Sequence, residues 1–386
     1  VRTYLAVIAA ALSLLFITVP AVSPSPPVIV GMSASMSGDY SSNGAMFEKG
    51  VRLWLDDVNA RGGILGRQVE LLLKDDESNL AKAAQLYSMM ASPQGADLIL
   101  GPDHGRLALG ILPALVKADV PAVFPVSAPD ILWKSGKGLA FGVQAPLSDW
   151  PSGYFEVLSR SGVETVGILV VVHPMSEEVM ENVTRITRRF SMRVTAKVAT
   201  GLKGLPEAVS QIEKAKPDAL TIWGSQEGCT EALKNLNRSG YRPKSLYVST
   251  GQGTNAMLRE FSARELEGVF TTAPWDARIA GAYPGGERFV ERFRAAYGQD
   301  PDYLAASVYA GGQIFEAAAA KAQSLDPGKI RQALAGLETM TILGRYGVDP
   351  SGMQLRQFPV TMQWQKGKRE IVWPEKLRTA KPVSPR

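Results

Sequence analysis

Cysteine is all but missing from this sequence. Cys229 stands alone, which excludes an intramolecular disulfide and any multi-cysteine zinc or iron–sulfur site. Histidine is nearly as scarce, with only His104 and His173, too few for a histidine-rich metal centre. A charge excess is missing too. The formal net charge is +5 over 386 residues and the cations are scattered, so there is no electrostatic footprint for nucleic acid. No G-x-S-x-G elbow, P-loop or H-E-x-x-H string occurs. Low-complexity tracts and short repeats are also lacking. What remains is ordinary: 45% hydrophobic and 20% charged residues exclude wholesale disorder, collagen-like repeats and coiled coils. The length suits two domains better than one core.

The long uncharged run lies at the start. Leu5 to Val19 follows Arg2 and is closed by Pro20, the length of a signal-peptide core and short of the roughly 20 apolar residues a membrane span needs. We expect a signal peptide over residues 1–21, cleaved after Ala21, and a short tether from Pro24 to Pro27. No cysteine follows to carry a lipid. An uncleaved anchor is the alternative.

Beyond it, short apolar runs alternate with amphipathic stretches. Strands are expected near 28–32, 69–73, 97–100 and 122–124, with helices near 44–61, 80–91 and 107–118 between them. The order resumes with strands near 166–172, 193–198, 219–223, 246–249 and 268–271, separated by helices near 177–190, 205–215 and 230–239. Two more helices, near 286–297 and 304–322, precede a hairpin turning at Lys366-Gly367-Lys368. Repeated strand–helix order predicts an α/β fold of two doubly wound lobes. Ligands of such sheets bind beyond the carboxyl ends of the strands. The loops expected there, near 33–43, 101–106, 125–129, 173–176, 224–227 and 250–255, are rich in Ser, Gly, Asn and Gln, which suits hydrogen-bonding a small polar solute.

Four features resemble chemistry and are better explained without it. Gly251-Gln252-Gly253-Thr254-Asn255-Ala256 has a dinucleotide-binding spacing, but no acidic residue ends the following strand. His104 lacks a serine or cysteine nucleophile at recognisable spacing. Cys229 at a helix start could be a reactive thiol, though packing is the plainer role. Asp75-Asp76-Glu77 resembles a metal cluster, yet its place between strand and helix predicts capping.

Longer stretches carry a family likeness. GMSASMSGDYSSNGAMFEKGVRLWLDDVNARGGILGRQVELLLKDDESN (31–79), LILGP (98–102), VPAVFPVSAPD (120–130) and FGVQAPLSDW (141–150) are similar to type I periplasmic solute-binding proteins of ABC importers, the leucine/isoleucine/valine-binding group included. GQDPDYLAA (298–306), LDPGKIRQALAGL (325–337) and the tail 359–382 extend the likeness over the chain. The resemblance implies two lobes joined by three crossovers, near Gln144, Thr272 and Tyr346. Lobe 1 would comprise 28–144 plus 273–345, and lobe 2 would comprise 145–272 plus 346–386. It implies a periplasmic carrier that closes on a small solute and presents it to an ABC permease in the inner membrane. Neither a reaction nor a cofactor is needed, and a monomer is expected.

Carried over position by position, the family pocket falls on Asn43, on His104, Gly105 and Arg106, on Val126 and Ser127, and on Gln226, Gly251, Gln252 and Tyr303. Ser37 of the Ser-Gly turn and Trp275 complete the expected set. Several positions depart from the family. Asn43 stands for an aromatic residue, Gly105 for a carboxylate-holding serine, Gln226 for a tyrosine, and Gly251 for the acid that pairs an α-ammonium. Glu178 or Asp276 could replace that acid. The departures imply a small carboxylate or amide without an obligatory α-amino group, since a buried ammonium without a counter-charge is costly. Two rivals remain: a periplasmic sensor subunit and an α/β enzyme. A repressor ligand domain would need a DNA-binding helix-turn-helix where the apolar run stands.

Overall fold

A computed structural model of the protein describes residues 25–126, 129–172, 176–249 and 260–383. The expected signal peptide and the 251–256 string lie outside these residues, as do Ser127, His173, Gly251 and Gln252. Among the described residues no helix is long and apolar enough to cross a membrane.

The chain forms two α/β lobes, each built on its own sheet. The first sheet contains β1 (Val28–Ala34), β2 (Val69–Asp75), β3 (Leu98–Leu100), β4 (Ala122–Phe124) and β5 (Ala140–Gly142), in the order β2-β1-β3-β4-β5. All its pairings are parallel. The strands β3, β4 and β5 are buried throughout, as apolar strands covered on both faces should be. Helix α1 (Ser41–Ala60) lies on one face, and α2 (Leu80–Met90), α3 (Gly105–Ala118) and α4 (Asp130–Ser135) lie on the other.

The second sheet contains β6 (Thr165–Val171), β7 (Arg193–Thr200), β8 (Ala219–Trp223), β9 (Ser245–Val248) and β10 (Val269–Ala273), with parallel order β10-β9-β8-β6-β7. Its helices are α5 (Ser152–Ser159), α6 (Ser176–Arg189), α7 (Leu205–Ala215), α8 (Gln226–Ser239) and the single turn α9 (Ala263–Leu266). Sequence periodicity placed the start of α8 at Thr230. The structure starts it at Gln226, because Ser225 accepts the Gly228 N–H and closes the first turn earlier.

The chain then returns to the first lobe. Helices α10 (Gly286–Tyr297) and α11 (Tyr303–Ala322) share the core of α1, and α12 (Pro327–Ala335) packs beside them. Glycine makes the α1–α11 contact close. A Cβ at Gly50 would sit 2.3 Å from the Ala305 carbonyl oxygen, and one at Gly312 would sit 2.2 Å from the Trp54 ring. After a small hairpin, β11 (Thr339–Thr341) with β12 (Gly344–Tyr346), the chain crosses a third time. There β13 (Val360–Gln365) and β14 (Lys368–Trp373) form the antiparallel hairpin expected from sequence and extend the second sheet beside β10. Lys366 and Gly367 both take positive φ, 52° and 76°, the turn that matches the twist of two antiparallel strands.

The three crossovers are tied to one another by side-chain amides. Gln357, on the third, is 4% exposed. Its Oε1 accepts the Ala145 N–H of the first crossover at 2.7 Å, and its Nε2 donates to the Pro274 carbonyl of the second at 2.7 Å. On the first-lobe side, Gln354 Nε2 donates to Val143 O, and Gln144 Nε2 donates to Ser307 Oγ. On the second-lobe side, Thr272 Oγ1 donates to Trp150 O.

Candidate functional site

Strand order locates the candidate site. In the first sheet β1 and β3 are neighbours although β2 lies between them in sequence, and in the second sheet β6 and β8 flank the same kind of reversal. Helices leave opposite faces at such points and open a crevice at the carboxyl ends of the strands.

At the first sheet the crevice floor is polar. Ser33 of β1, Ser35 just beyond it, and the adjoining Asp76 and Asp103 are all 0% exposed. Asp76 accepts from Ser33 Oγ at 2.6 Å, from Ser35 Oγ at 3.0 Å and from the Ser78 N–H at 3.0 Å. The Asp75 carboxylate accepts the Met36, Ser37 and Glu77 N–H groups, and Ser37 Oγ donates to it at 2.8 Å. These acids therefore organise the β1 turn. The expectation that they cap the following helix is corrected: Asn79 caps α2, accepting from Ala81 N and Lys82 N.

Above this floor stands the 103–106 loop. His104 is the N-cap of α3, its Nδ1 accepting the Arg106 N–H at 3.1 Å, and its ring stacks on Tyr40 at 3.9 Å. Burial, reinforced by the Arg106 charge, lowers the His104 pKa to about 4. The imidazole is thus neutral near pH 7, as an acceptor must be. Gly105 opens the helix and Arg106 is exposed beside it. The N-terminal end of α3 and one guanidinium favour a negative group here. Burial, and then the Asp76 charge, raise Asp103 to about 7.

The mouth of the second sheet is aromatic. Trp223 ends β8, is 3% exposed and packs on Tyr247 at 5.2 Å between ring centroids. It bounds a small cavity with Leu147, Ser148, Pro151, Glu178 and Val179. Gly228 lets α8 approach β6, since a Cβ there would lie 2.9 Å from Val171 Cγ1.

A hydrogen bond joins the two mouths. Glu178 Oε1 of α6 accepts the Asp130 N–H of α4 at 2.7 Å. Burial leads in raising the Glu178 pKa, and the Asp130 charge adds to it. Asp149 is raised by burial as well. Asp276 differs. Burial pushes it up, but the Arg278 side chain at 2.7 Å and the Arg278 N–H outweigh that and hold it below the ordinary range.

The residues expected to bind are therefore not one cluster. Ser37, His104, Gly105 and Arg106 lie together at the first mouth, and Gln226 is exposed at the start of α8. Asn43 is half-buried in α1, and Tyr303 opens α11 with its carbonyl accepting from Ser307. Val126 is buried just after β4. Trp275 is 2% exposed and sits in the first-lobe core, edge-on to Phe289 at 6.0 Å. Asp103, Asp130 and Trp223 were not anticipated. Only a polar residue at an expected strand end could have flagged Asp103. Among the described residues no group of three or more His, Cys, Asp or Glu could hold a metal ion. Cys229 is wholly buried, which pushes its thiol to about 12, and it donates to Ser249 O at 3.2 Å; it packs.

A family model described as periplasmic binding protein matches residues 27–369. The chain belongs to this family. Within it, the likeness is to the type I, branched-chain amino acid group. The binding protein is 21% identical over 388 residues to a Leu/Ile/Val-binding protein homolog of Brucella abortus, covering 95% of this chain and 96% of that one. Solved structures share its fold. A substrate-binding protein of Desulfitobacterium hafniense in complex with Leu superposes with a TM-score of 0.75 at 21% identity, covering 89% and 99% of the two chains. A solute-binding protein of R. palustris in complex with benzoate superposes at 0.72 and 19%, covering 93% and 98%. Members of this family bind solutes in the periplasm.

Proposed function

We propose that the protein captures a small carboxylate or amide between its two lobes and delivers it to an ABC permease, without catalysing a reaction. The lobes would be 28–144 plus 273–345 and 145–272 plus 346–386, turning on the crossovers bound by Gln357. The observation that carries this reading is the meeting of the two strand-end crevices, bridged from α6 to α4 by Glu178 and Asp130. A solute seated there would touch both lobes only when they are closed, and so would shift the population toward closure.

The solute class follows from the charges. The start of α3 and Arg106 suit a carboxylate, which both Leu and benzoate possess. Both acids that could pair an α-ammonium already have partners. Asp276 is held by Arg278, and Glu178 is bonded to the Asp130 N–H. An α-amino acid would have to compete with these contacts for the acid, whereas an aromatic acid or an amide would not. His104, Gly105, Arg106 and Gln226 are the proposed contacts among the described residues, and Ser127, Gly251 and Gln252 are proposed from the sequence likeness alone.

A thermal-shift screen of amino acids, aromatic acids, dicarboxylates and amides tests this. A ligand at 100 times its dissociation constant stabilises by about 2.7 kcal/mol. Aromatic acids or amides should raise the melting temperature and leucine should not. Micromolar binding of leucine or valine that displaces every other hit would refute the solute class. A screen with no hit at all would count against capture itself, and turnover of a hit would convert the reading to an enzyme.

A further inference from the structure

Beneath the 103–106 loop, hydrogens and acceptors do not balance if both carboxyl groups are ionised. Ser35 Oγ lies 3.0 Å from Asp76 Oδ1 and 3.0 Å from Asp103 Oδ1. A serine hydroxyl owns one hydrogen and can donate to only one of them. The other contact needs a hydrogen from the carboxyl side. Asp76 already accepts from Ser33 Oγ and from the Ser78 N–H. Asp103 Oδ2, by contrast, is buried with no partner. A wholly buried carboxylate left with an empty oxygen is costly, and a neutral acid is far less so.

We propose that Asp103 carries a proton in the folded protein, donates it through Oδ1 to Ser35 Oγ, and so relays the Ser35 hydrogen to Asp76. Releasing that proton to solvent would leave two carboxylates competing for one hydroxyl hydrogen and would add a negative charge directly under His104, Gly105 and Arg106. The relay thereby regulates the anion affinity of the first mouth. That last step rests on the proposed function; the proton's position does not.

The surrounding groups support a transition near neutrality. Asp76 faces Asp103 from the turn after β2. Tyr87 faces both from α2, its hydroxyl donating to Leu100 O and accepting the Ser33 N–H, and burial pushes it far above its ordinary range. His104 and Arg106 face them from α3, and His104 is already neutral well below pH 7. Among the described residues no lysine or arginine forms an ion pair with Asp76 or Asp103. Burial and Asp76 together bring Asp103 to about 7.

Carbon-13 NMR of aspartate-labelled protein tests the proton directly. One carboxyl resonance should titrate near pH 7 and vanish in Asp103→Asn. In Ser35→Ala, which removes the relay, its midpoint should move by about one pH unit or more. If no aspartate titrates above about pH 5, near the ordinary carboxylate range, the proposal is wrong. Asp103→Asn should keep the contacts, since its amide can donate to Ser35. Should Ser35→Ala fail to fold, the wild-type and Asp103→Asn spectra still decide. With benzoate as the probe, affinity should fall about tenfold from pH 6 to pH 8 in the wild type and stay level in Asp103→Asn. A flat wild-type profile refutes the regulation. If benzoate binds at no pH while the resonance behaves as expected, the carboxylate reading has failed and the relay stands.

Discussion

The two crevice mouths are built on the same topology and filled with opposite chemistry. At the first, four buried polar side chains, Ser33, Ser35, Asp76 and Asp103, lie under a helix start flanked by His104 and Arg106. At the second, Trp223 and Tyr247 pack at a tilt in the core and glycine shortens the approach of α8. The first can hold charge because its donors are fixed in place, whereas the second offers surface and shape. A solute bridging them is therefore expected to point its charged end at α3 and its apolar body at β8.

The largest test of the contrast removes the second mouth. Trp223→Ala deletes a wholly packed ring, and such truncations cost about 3–5 kcal/mol. Denaturant unfolding should show a loss of that size, with the first-mouth titrations unchanged. A loss below about 1 kcal/mol would mean that the ring is only loosely held and that the second mouth is not preformed.

Next in size is the device that joins the mouths. Gln357→Ala strands the Ala145 N–H and the Pro274 carbonyl, each an unsatisfied buried group worth about 1–3 kcal/mol. Gln357→Glu keeps the acceptor but sets a buried carboxylate against the Pro274 carbonyl, so it should cost at least as much unless the acid is protonated. If the amide makes the crossovers turn together, spin labels at exposed Lys74 and Lys203 should show a broader lobe-to-lobe distance distribution in the alanine variant. Buried Cys229 would not take a label. An unchanged distribution with lower stability would leave Gln357 a packing residue and no more.

Sequence revealed the fold more readily than the site, for a physical reason. Strand–helix alternation is local, and buried parallel strands such as 166–171 are apolar enough to read directly. Short elements such as β5 and α4 carry too few residues for a period and were not anticipated. The acids at 75–77 looked like helix caps because composition records charge but not direction; the oxygens of Asp75 and Asp76 turn back to β1 and the turn after it, and only Glu77 reaches α2, through Lys82. Gln357 gave no signal at all. Its partners lie 212 and 83 residues away, so only the folded crossovers bring them within reach. The first-mouth cluster at 104–106 was legible because it is contiguous at a helix start, whereas Asp130 and Glu178 meet only across the lobes.

The smallest expected effect separates the mouths by pH. Two helix starts are capped in parallel ways: His104 Nδ1 accepts a backbone N–H for α3, and Ser225 Oγ accepts one for α8, both at 3.1 Å. Ser225→Ala should cost about 1 kcal/mol, and the cost should not vary with pH because a hydroxyl does not titrate there. The histidine cap behaves otherwise. Its folded pKa of about 4 lies below the ordinary 6.5, so the unfolded chain takes up a proton first as pH falls. The stabilisation is whole above about pH 6.5, shrinks between 6.5 and 4, and is gone below. Measured as a difference in melting temperature from wild type, His104→Asn should therefore gain ground at about pH 5 relative to about pH 8, while Ser225→Ala keeps a constant offset. Asp103 acts in the opposite sense: its folded pKa of about 7 lies above the ordinary carboxylate value, so its contribution is whole only below about pH 4, falls as pH rises to about 7 and is flat beyond, and Asp103→Asn should gain ground across that window. Two parallel offsets for His104→Asn and Ser225→Ala would show that the first mouth is no more electrostatic than the second, and the contrast between the lobes would reduce to one of shape.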